Sequence, residues 1–428
     1  MRTKRFLWAG AEATATLLRD FAAQARGEVS TAAVSEMGTE IFSQGDAALL
    51  RLIERHDGIR LAPEQLRIAP EEAEAALRSL DSGLRGALEL AAGNIRAVAE
   101  AQQGAPPVSV SLPQGQTVTV REVPVQAAGI YAPGGRATYP SSVLMCAIPA
   151  QVAGVERRVL VSPPGENGRP AASVLAAAAL CGIDEIYAVG GAQAIFALAF
   201  GTETIPRVNV VVGPGNLWVQ EAKRRAFGEV GIDSYAGPSE LMVIAGHDSD
   251  PEWIAFDLCA QAEHGAESPL VAVAVEDHVL AAIEASVERL AASRGTVTEA
   301  PLALVAVPDA EAAVELANAY APEHLELAEG DADLLAERVR TAGCVFVGRY
   351  GATAFGDYVA GSNHVLPTSG AGAYAGPLGP GTFRRRISTV AVPAGAAEKL
   401  APYADAIARA EGLPVHGESA MIRTSDDE

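Results

Sequence analysis

Four of the seven histidines lie close in sequence to a second acid or ligand-type side chain: Gln261 with His264, Glu323 with His324, Asp357 with His364, and Glu411 with His416. Imidazole, carboxylate and amide oxygen are the groups that bind a borderline metal such as zinc, and imidazole and carboxylate also move protons near neutral pH. If the run from Pro251 stays helical through His264, residues 261 and 264 sit about 60° apart and share a face, so two ligands could reach one ion. The plainer reading is a surface Gln and a His capping the helix before Gly265. Side chains of neighbours such as Glu323 and His324 diverge, which suits two separate proton positions; alternatively Pro322 and Glu323 open a new element and His324 is a satisfied polar group. Asp357 and His364 bracket a Gly-rich polar loop over 356–370, of the kind that carries function when held between structured elements, although an ordinary connection would look similar. Glu411 and His416 fall near the C-terminus, where a solvated His is the simple alternative. The weight comes from the four pairs together. His56, His247 and His278 have turn-like or acidic neighbours and read as surface residues.

These side chains need elements to hold them. Apolar spacing of three and four predicts helices over 30–55 and 70–102, with a turn at His56-Asp57-Gly58. Strict alternation in Val108-Ser-Val-Ser-Leu and Thr117-Val-Thr-Val-Arg-Glu-Val predicts a hairpin, followed by a Gly- and Pro-rich loop at Tyr131-Ala-Pro-Gly-Gly135. Over 155–245 strands alternate with helices (170–182, 192–200), and a second series has strands near 241–245, 270–275, 302–307 and 344–347. Both read as parallel sheets with crossover helices. Val210-Val-Val-Gly-Pro-Gly-Asn216 leads into a helix over 217–227, and Gly190-Gly-Ala-Gln193 opens another; each is a strand, a glycine turn and a helix N-terminus whose free N–H groups would suit a pyrophosphate. No G-x-G-x-x-G accompanies them, so plain strand-to-helix turns stay open. Residues after about 380 read as an arm ending in a helix over 396–411, with a frayed acidic tail.

Composition narrows the partners. A chain of 428 residues, 49% hydrophobic and 5% aromatic, suits two larger soluble domains. A net charge of −21 opposes nucleic-acid phosphates and anionic membranes, which leaves a small molecule. Cys146, Cys181, Cys259 and Cys344 form no C-x-x-C pair and read as reduced, cytoplasmic thiols. Glu12 and Arg19 interrupt what would have to be an apolar export signal, and Asp184 and Glu185 break the most apolar stretch, so no membrane span is expected.

Several spaced motifs together carry a resemblance: Tyr131-Ala-Pro-Gly-Gly, Pro140-Ser-Ser-Val-Leu-Met, Gly237-Pro-Ser-Glu, Gln261-Ala-Glu-His-Gly, Tyr320-Ala-Pro-Glu-His-Leu, Gly356-Asp-Tyr with Asn363-His-Val-Leu-Pro-Thr, and Ala410-Glu-Gly-Leu with His416. From roughly residue 30 to Arg423 the chain resembles the histidinol dehydrogenases. The resemblance implies an α/β fold of two Rossmann-like open-sheet domains in an aldehyde-dehydrogenase-like arrangement with small terminal extensions. Its expected divisions are a helical extension (1–26), a first α/β domain (27–130 plus 240–380), an NAD-binding domain (131–239) and an arm reaching the partner subunit (381–428). It implies a cytoplasmic homodimer with shared active sites and one Zn2+ per subunit, oxidising L-histidinol to L-histidine through the aldehyde with two NAD+, the last step of histidine biosynthesis. Carried over by position, Gln261, His264, Asp357 and His416 match zinc ligands, His416 reaching across the subunit boundary. Glu323 and His324 match the acid/base pair. Ser141, Ser239, His364 and Glu411 match substrate contacts, to which the zinc ligands and His324 add, and Tyr131, Gln193 and Asn216 match the NAD site. The chain departs from the family at Thr353-Ala-Phe355 and Gly376-Pro-Leu-Gly-Pro-Gly-Thr. Rival readings are a zinc- and NAD-dependent dehydrogenase of another small alcohol such as a sulfonated diol, a zinc hydrolase using Glu323 as base, and a catalytically dead binding protein.

Overall fold

Short runs of Val, Ile, Leu and Ala, apolar at every position, form strands buried on both faces, which is the condition for a parallel sheet covered by helices. A computed structural model describes the chain except for residues 26, 28, 135, 136, 235, 236 and 425–428. Gly135 of the expected glycine loop and the acidic tail therefore lie outside the described residues. In chain order the strands are β1 (Arg2–Phe6), β2 (Arg67–Ile68), β3 (Val108–Ser111), β4 (Thr117–Pro124), β5 (Ala127–Tyr131), β6 (Arg157–Ser162), β7 (Glu185–Ala188), β8 (Val210–Val212), β9 (Gly231–Ile232), β10 (Leu241–Ala245), β11 (Leu270–Ala274), β12 (Pro301–Ala306), β13 (His324–Ala328), β14 (Cys344–Val347) and β15 (Arg384–Ala391).

The first sheet runs β1-β12-β11-β10-β13-β14 and is parallel throughout. Its side chains alternate between two cores. Met242, Ile244, Leu325 and Leu327 face the helices Ala11–Ala23 and Ala310–Tyr320, while Leu241, Val243, Ala245 and Ala328 face Pro251–Ala262 and Asp277–Ala292. The second sheet runs β2-β7-β6-β5-β8-β9, parallel except for the β2 edge. Chain order reverses direction between β10 and β13 in the first sheet and between β5 and β8 in the second, which makes those two gaps the switch points.

Both α/β series are present, with corrections to how the chain is shared between them. Residues 27–130 were expected beside 240–380, but the helices Thr31–Asp57, Pro70–Ser79 and Ser82–Ala101 pack on Gly191–Phe200, Ala172–Leu180 and Pro140–Val152, which cover the second sheet. An amphipathic helix declares a buried face without declaring its partner. Residues 1–26 are not a purely helical extension, since Arg2–Phe6 adds a parallel edge strand beside β12. The expected helix over 70–102 is two helices, because the Asp81 carboxylate accepts from the Gly83 and Leu84 N–H groups and caps a new start. By compactness the chain divides into Met1–Gln102 with Gln126–Phe383, holding both large sheets, and Gln103–Val125 with Arg384–Glu428. In the latter unit β15 pairs antiparallel with β4, so the C-terminal arm shares a sheet with the hairpin instead of standing alone. Among the described residues no helix is long and apolar enough to cross a membrane.

In β13, Glu326 lies on the face turned to Pro251–Ala262, buried, against Asp257 of that helix, and its Oε2 has no hydrogen-bond partner. Burial, then the Asp257 charge, pushes Glu326 well above the ordinary carboxylate range; Asp257 is raised by its own burial. A carboxyl whose pKa rises on folding contributes most at low pH, where both states keep the proton, and loses stability as pH climbs through the unfolded value. Glu326→Gln is expected to melt above the unaltered protein at about pH 8 and to lose that advantage near about pH 4, read by thermal unfolding at both.

Candidate active site

The first sheet brings its polar residues to the amino-terminal edge of β10 and β13. Register pairs Leu241 with His324, so Ser239-Glu240 and Glu323-His324 are neighbours where strands begin and backbone N–H groups have no earlier partner in the ladder. One Glu323 oxygen accepts from Ser239 Oγ at 2.6 Å and from the Glu240 N–H at 2.8 Å. Gln261, buried on the last turn of Pro251–Ala262, donates its amide to the same Ser239 Oγ at 2.7 Å. Glu240 turns the other way: its carboxylate accepts from Tyr320 Oη (3.2 Å), the Glu323 N–H (3.3 Å) and the Ser369 N–H (2.8 Å). Ala321, left-handed at φ 54°, makes the sharp exit from Ala310–Tyr320 that delivers Glu323 to this position.

His324 is buried with Nδ1 donating to the Glu240 carbonyl at 3.1 Å, which fixes the ring. Its Nε2 has no hydrogen-bond partner and lies 3.6 Å from Asp357 Oδ1, too long for a hydrogen bond and close enough for strong charge attraction. Burial works to lower the pKa of His324, but the charge of Glu323, 3.5 Å away, and then Asp357 override it and raise it to about 9. Burial raises Glu323 to about 7, against the His324 charge and the bonds from Ser239 and Glu240. Burial would raise Asp357 too, yet His324, with His364 and His264, holds it below its ordinary value.

Asp357 sits in the short helix Thr353–Tyr358, where a side chain at Gly356 would strike Phe346, the ring beside His324. The expected loop therefore begins with a helical turn. From it His364 folds back, its Nδ1 donating to the Asp357 carbonyl at 2.8 Å and its Nε2 3.0 Å from Ser142 Oγ. Burial lowers His364 and His264 alike, with Asp357 partly offsetting each. His264 lies past the end of its helix, so the anticipated shared helical face ends at Ala262; its N–H still bonds the Gln261 carbonyl at 3.2 Å.

These groups line one cavity of about 400 Å3, whose opposite wall is the carboxyl edge of the second sheet. There Tyr131 ends β5, and Asn216 caps Leu217–Ala226, its side chain accepting from the Trp218 and Val219 N–H groups. Tyr131 Oη accepts from the Gly191 N–H at 3.1 Å, tying the end of β5 to the glycine turn at 190–191. Gln193 is buried in the helix that Gly190 caps. Ser141 and Ser239 line the cavity, whereas Glu411 and His416 belong to the second unit, exposed at the end of Ala394–Ala410 and on Pro414–Met421.

Comparison with known proteins bears on the same stretch. The sequence model of the family described as histidinol dehydrogenase matches residues 22–424. Histidinol dehydrogenases of Synechococcus sp. and Pseudomonas fluorescens are 44% and 43% identical, over 92% and 90% of this chain and 92% and 89% of theirs. The chain belongs to the histidinol dehydrogenase family. Membership makes it an oxidoreductase, and the crystal structure of the histidinol dehydrogenase from Elizabethkingia anophelis matches with a TM-score of 0.88 at 31% identity, covering 99% of this chain and 98% of that one.

Three residues of this histidinol dehydrogenase family chain went unassigned from sequence: Glu240, Ser142 and Asn363, whose amide bonds the Met145 carbonyl at 2.7 Å and whose oxygen accepts from the Val365 N–H at 2.9 Å. A buried carboxylate satisfied by N–H and O–H donors leaves no spacing signature, although the motif Gly237-Pro-Ser-Glu240 did mark the place. Glu240→Gln puts an NH2 where a donor now finds an oxygen and is expected to cost roughly 1–3 kcal/mol in a urea unfolding series. A change within error would remove Glu240 as the support of this edge.

Proposed function

We propose that the chain carries out the zinc-dependent oxidation of L-histidinol to L-histidine through L-histidinal with two NAD+, as a cytoplasmic homodimer. The observation that supports this best is the buried Glu323–His324 pair, held by Ser239 and Glu240 and facing Asp357 across 3.6 Å. The donor set fits a borderline cation. Gln261 commits its amide nitrogen to Ser239 and keeps an oxygen to offer, His264 is held neutral and Asp357 ionised. Among the described residues no three His, Cys, Asp or Glu side chains gather as a metal site; in the proposed set the second imidazole, His416, would come from the partner. Bound zinc would fix the imidazole and amine of the substrate, and NAD+ would accept hydride.

In the first oxidation His324 Nε2, which has no competing hydrogen bond, takes the hydroxyl proton as hydride leaves the carbinol carbon. In the second, the Glu323 carboxylate takes a proton from the water that adds to the aldehyde while protonated His324 returns its proton to the carbonyl oxygen, giving the neutral hydrate. His324, neutral again, then accepts a hydroxyl proton of that hydrate as the second hydride departs. Tyr131, Gln193 and Asn216 would hold the dinucleotide, and Ser141, Ser239, His364 and Glu411 the substrate. No thioester is invoked: burial raises Cys259 and Cys344 to about 11, Cys181 to about 12 and Cys146 well above its ordinary value.

Absorbance at about 340 nm should count two reduced cofactors per L-histidinol; one per substrate would refute the four-electron course. Glu323→Gln should slow aldehyde oxidation with zinc content intact, and loss of the metal instead would contradict its role as base. Since Glu323 must be ionised and His324 neutral to accept protons, the rate should rise with pH, first through about 7 and then toward about 9. A cation at Asp357 offsets one of the charges raising His324 and moves that second limb lower. His416→Asn should lower zinc occupancy, measured by metal analysis after dialysis; full occupancy would strike it from the ligand set.

A further inference from the structure

We infer that Lys223 and Asp233, a buried ion pair in the cavity wall, are positioning residues for the dinucleotide: they fix the Gly213 peptide and keep that wall neutral where a pyrophosphate would enter. This rests on the NAD+ reading above. The two side chains are 1% and 4% exposed and pair directly. Gly213 follows β8 and Asp233 follows β9, so the pair bridges adjacent strand ends at the carboxyl edge of the second sheet. Asp233 Oδ2 accepts from the Gly213 N–H at 2.8 Å, Lys223 Nζ donates to the Gly213 carbonyl at 3.0 Å, and Asp233 Oδ1 accepts from the Ser234 N–H at 2.8 Å. The Gly213 backbone is thus gripped at both its N–H and its carbonyl by opposite charges. Gly213 has φ 120°, and a Cβ there would strike the Tyr131 carbonyl, so the gripped turn is pressed against the end of β5 just before Asn216 caps the helix.

Burying both charges is an expensive way to hold a turn, and a neutral packed pair would serve stability as well. The charges make sense against the ligand. The chain carries −21, and a lone carboxylate lining this cavity would repel phosphates; the Lys223 ammonium cancels it.

Calorimetric titration of NAD+ into the full-length protein reads the effect. Lys223→Met leaves Asp233 uncompensated and is expected to weaken NAD+ by about tenfold or more, with L-histidinol binding unchanged. The neutral double variant Lys223→Met with Asp233→Asn should recover part of the NAD+ loss while L-histidinol binding, which a merely structural pair would move alongside it, stays constant through the series. NAD+ affinity unchanged in Lys223→Met, a double variant no better than the single one, or both ligands weakened alike would overturn the inference. If Lys223→Met does not fold, Lys223→Gln, which keeps a donor for Gly213 without the charge, carries the same comparison. Failure of the unaltered protein to bind NAD+ would sink the cofactor reading itself, and the inference with it.

Discussion

The Glu323 carboxylate, gripped by the Ser239 hydroxyl and the Glu240 N–H, is the interaction on which the site depends. It ties the start of β13 to the start of β10, and through Ser239 it reaches Gln261 at the end of the next helix. Its charge, 3.5 Å from the His324 ring, is the largest of the effects that raise His324. Removing it would at once unpin Ser239, free the β13 entry and withdraw the proton affinity of His324. The other face of the same edge is secured by Glu240, which bonds Tyr320, Glu323 and Ser369. Two carboxylates so buried are tolerable only because N–H and O–H donors surround them.

Much of this was legible from residues. The β10, β11, β12 and β14 strands and their crossover helices follow from apolar runs bounded by turn residues, and the glycine turns at 190–191 and 213–215 do end strands of the second sheet. What escaped was β13, because His324 and Glu326 break its apolar run, β1, whose Arg-Thr-Lys-Arg-Phe run is basic and mostly exposed, and β5, where Ala and Gly give no strand pattern. The partition of the chain escaped for a different reason. Helices over 31–101 announce an apolar face, but only tertiary packing selects the second sheet as its destination.

At the site, residue chemistry pointed to Gln261, His264, Glu323, His324, Asp357 and His364, and the fold gathers them, five of the six lining one cavity directly. Their geometry was less legible. His264 lies beyond its helix, and Asp357 within a helical turn instead of a loop. Ser142 bonds His364 beside the flagged Ser141, a one-residue difference that helix phase decides. Glu411 and His416 lie in the other unit, so their proximity in sequence to one another says nothing of the companions they meet.

The cavity lies between the carboxyl edge of one parallel sheet and the amino edge of the other, and the helix ends beside those edges give the two walls opposite polarity. On the Asn216 and Gly191 side helices begin, presenting partial positive charge that favours an anion. On the Gln261 and His264 side a helix ends, presenting partial negative charge that favours a cation. A molecule bearing phosphates and one bearing an ammonium would therefore orient themselves in this space before any side chain touched them, because the backbone alone supplies a field running from one wall to the other.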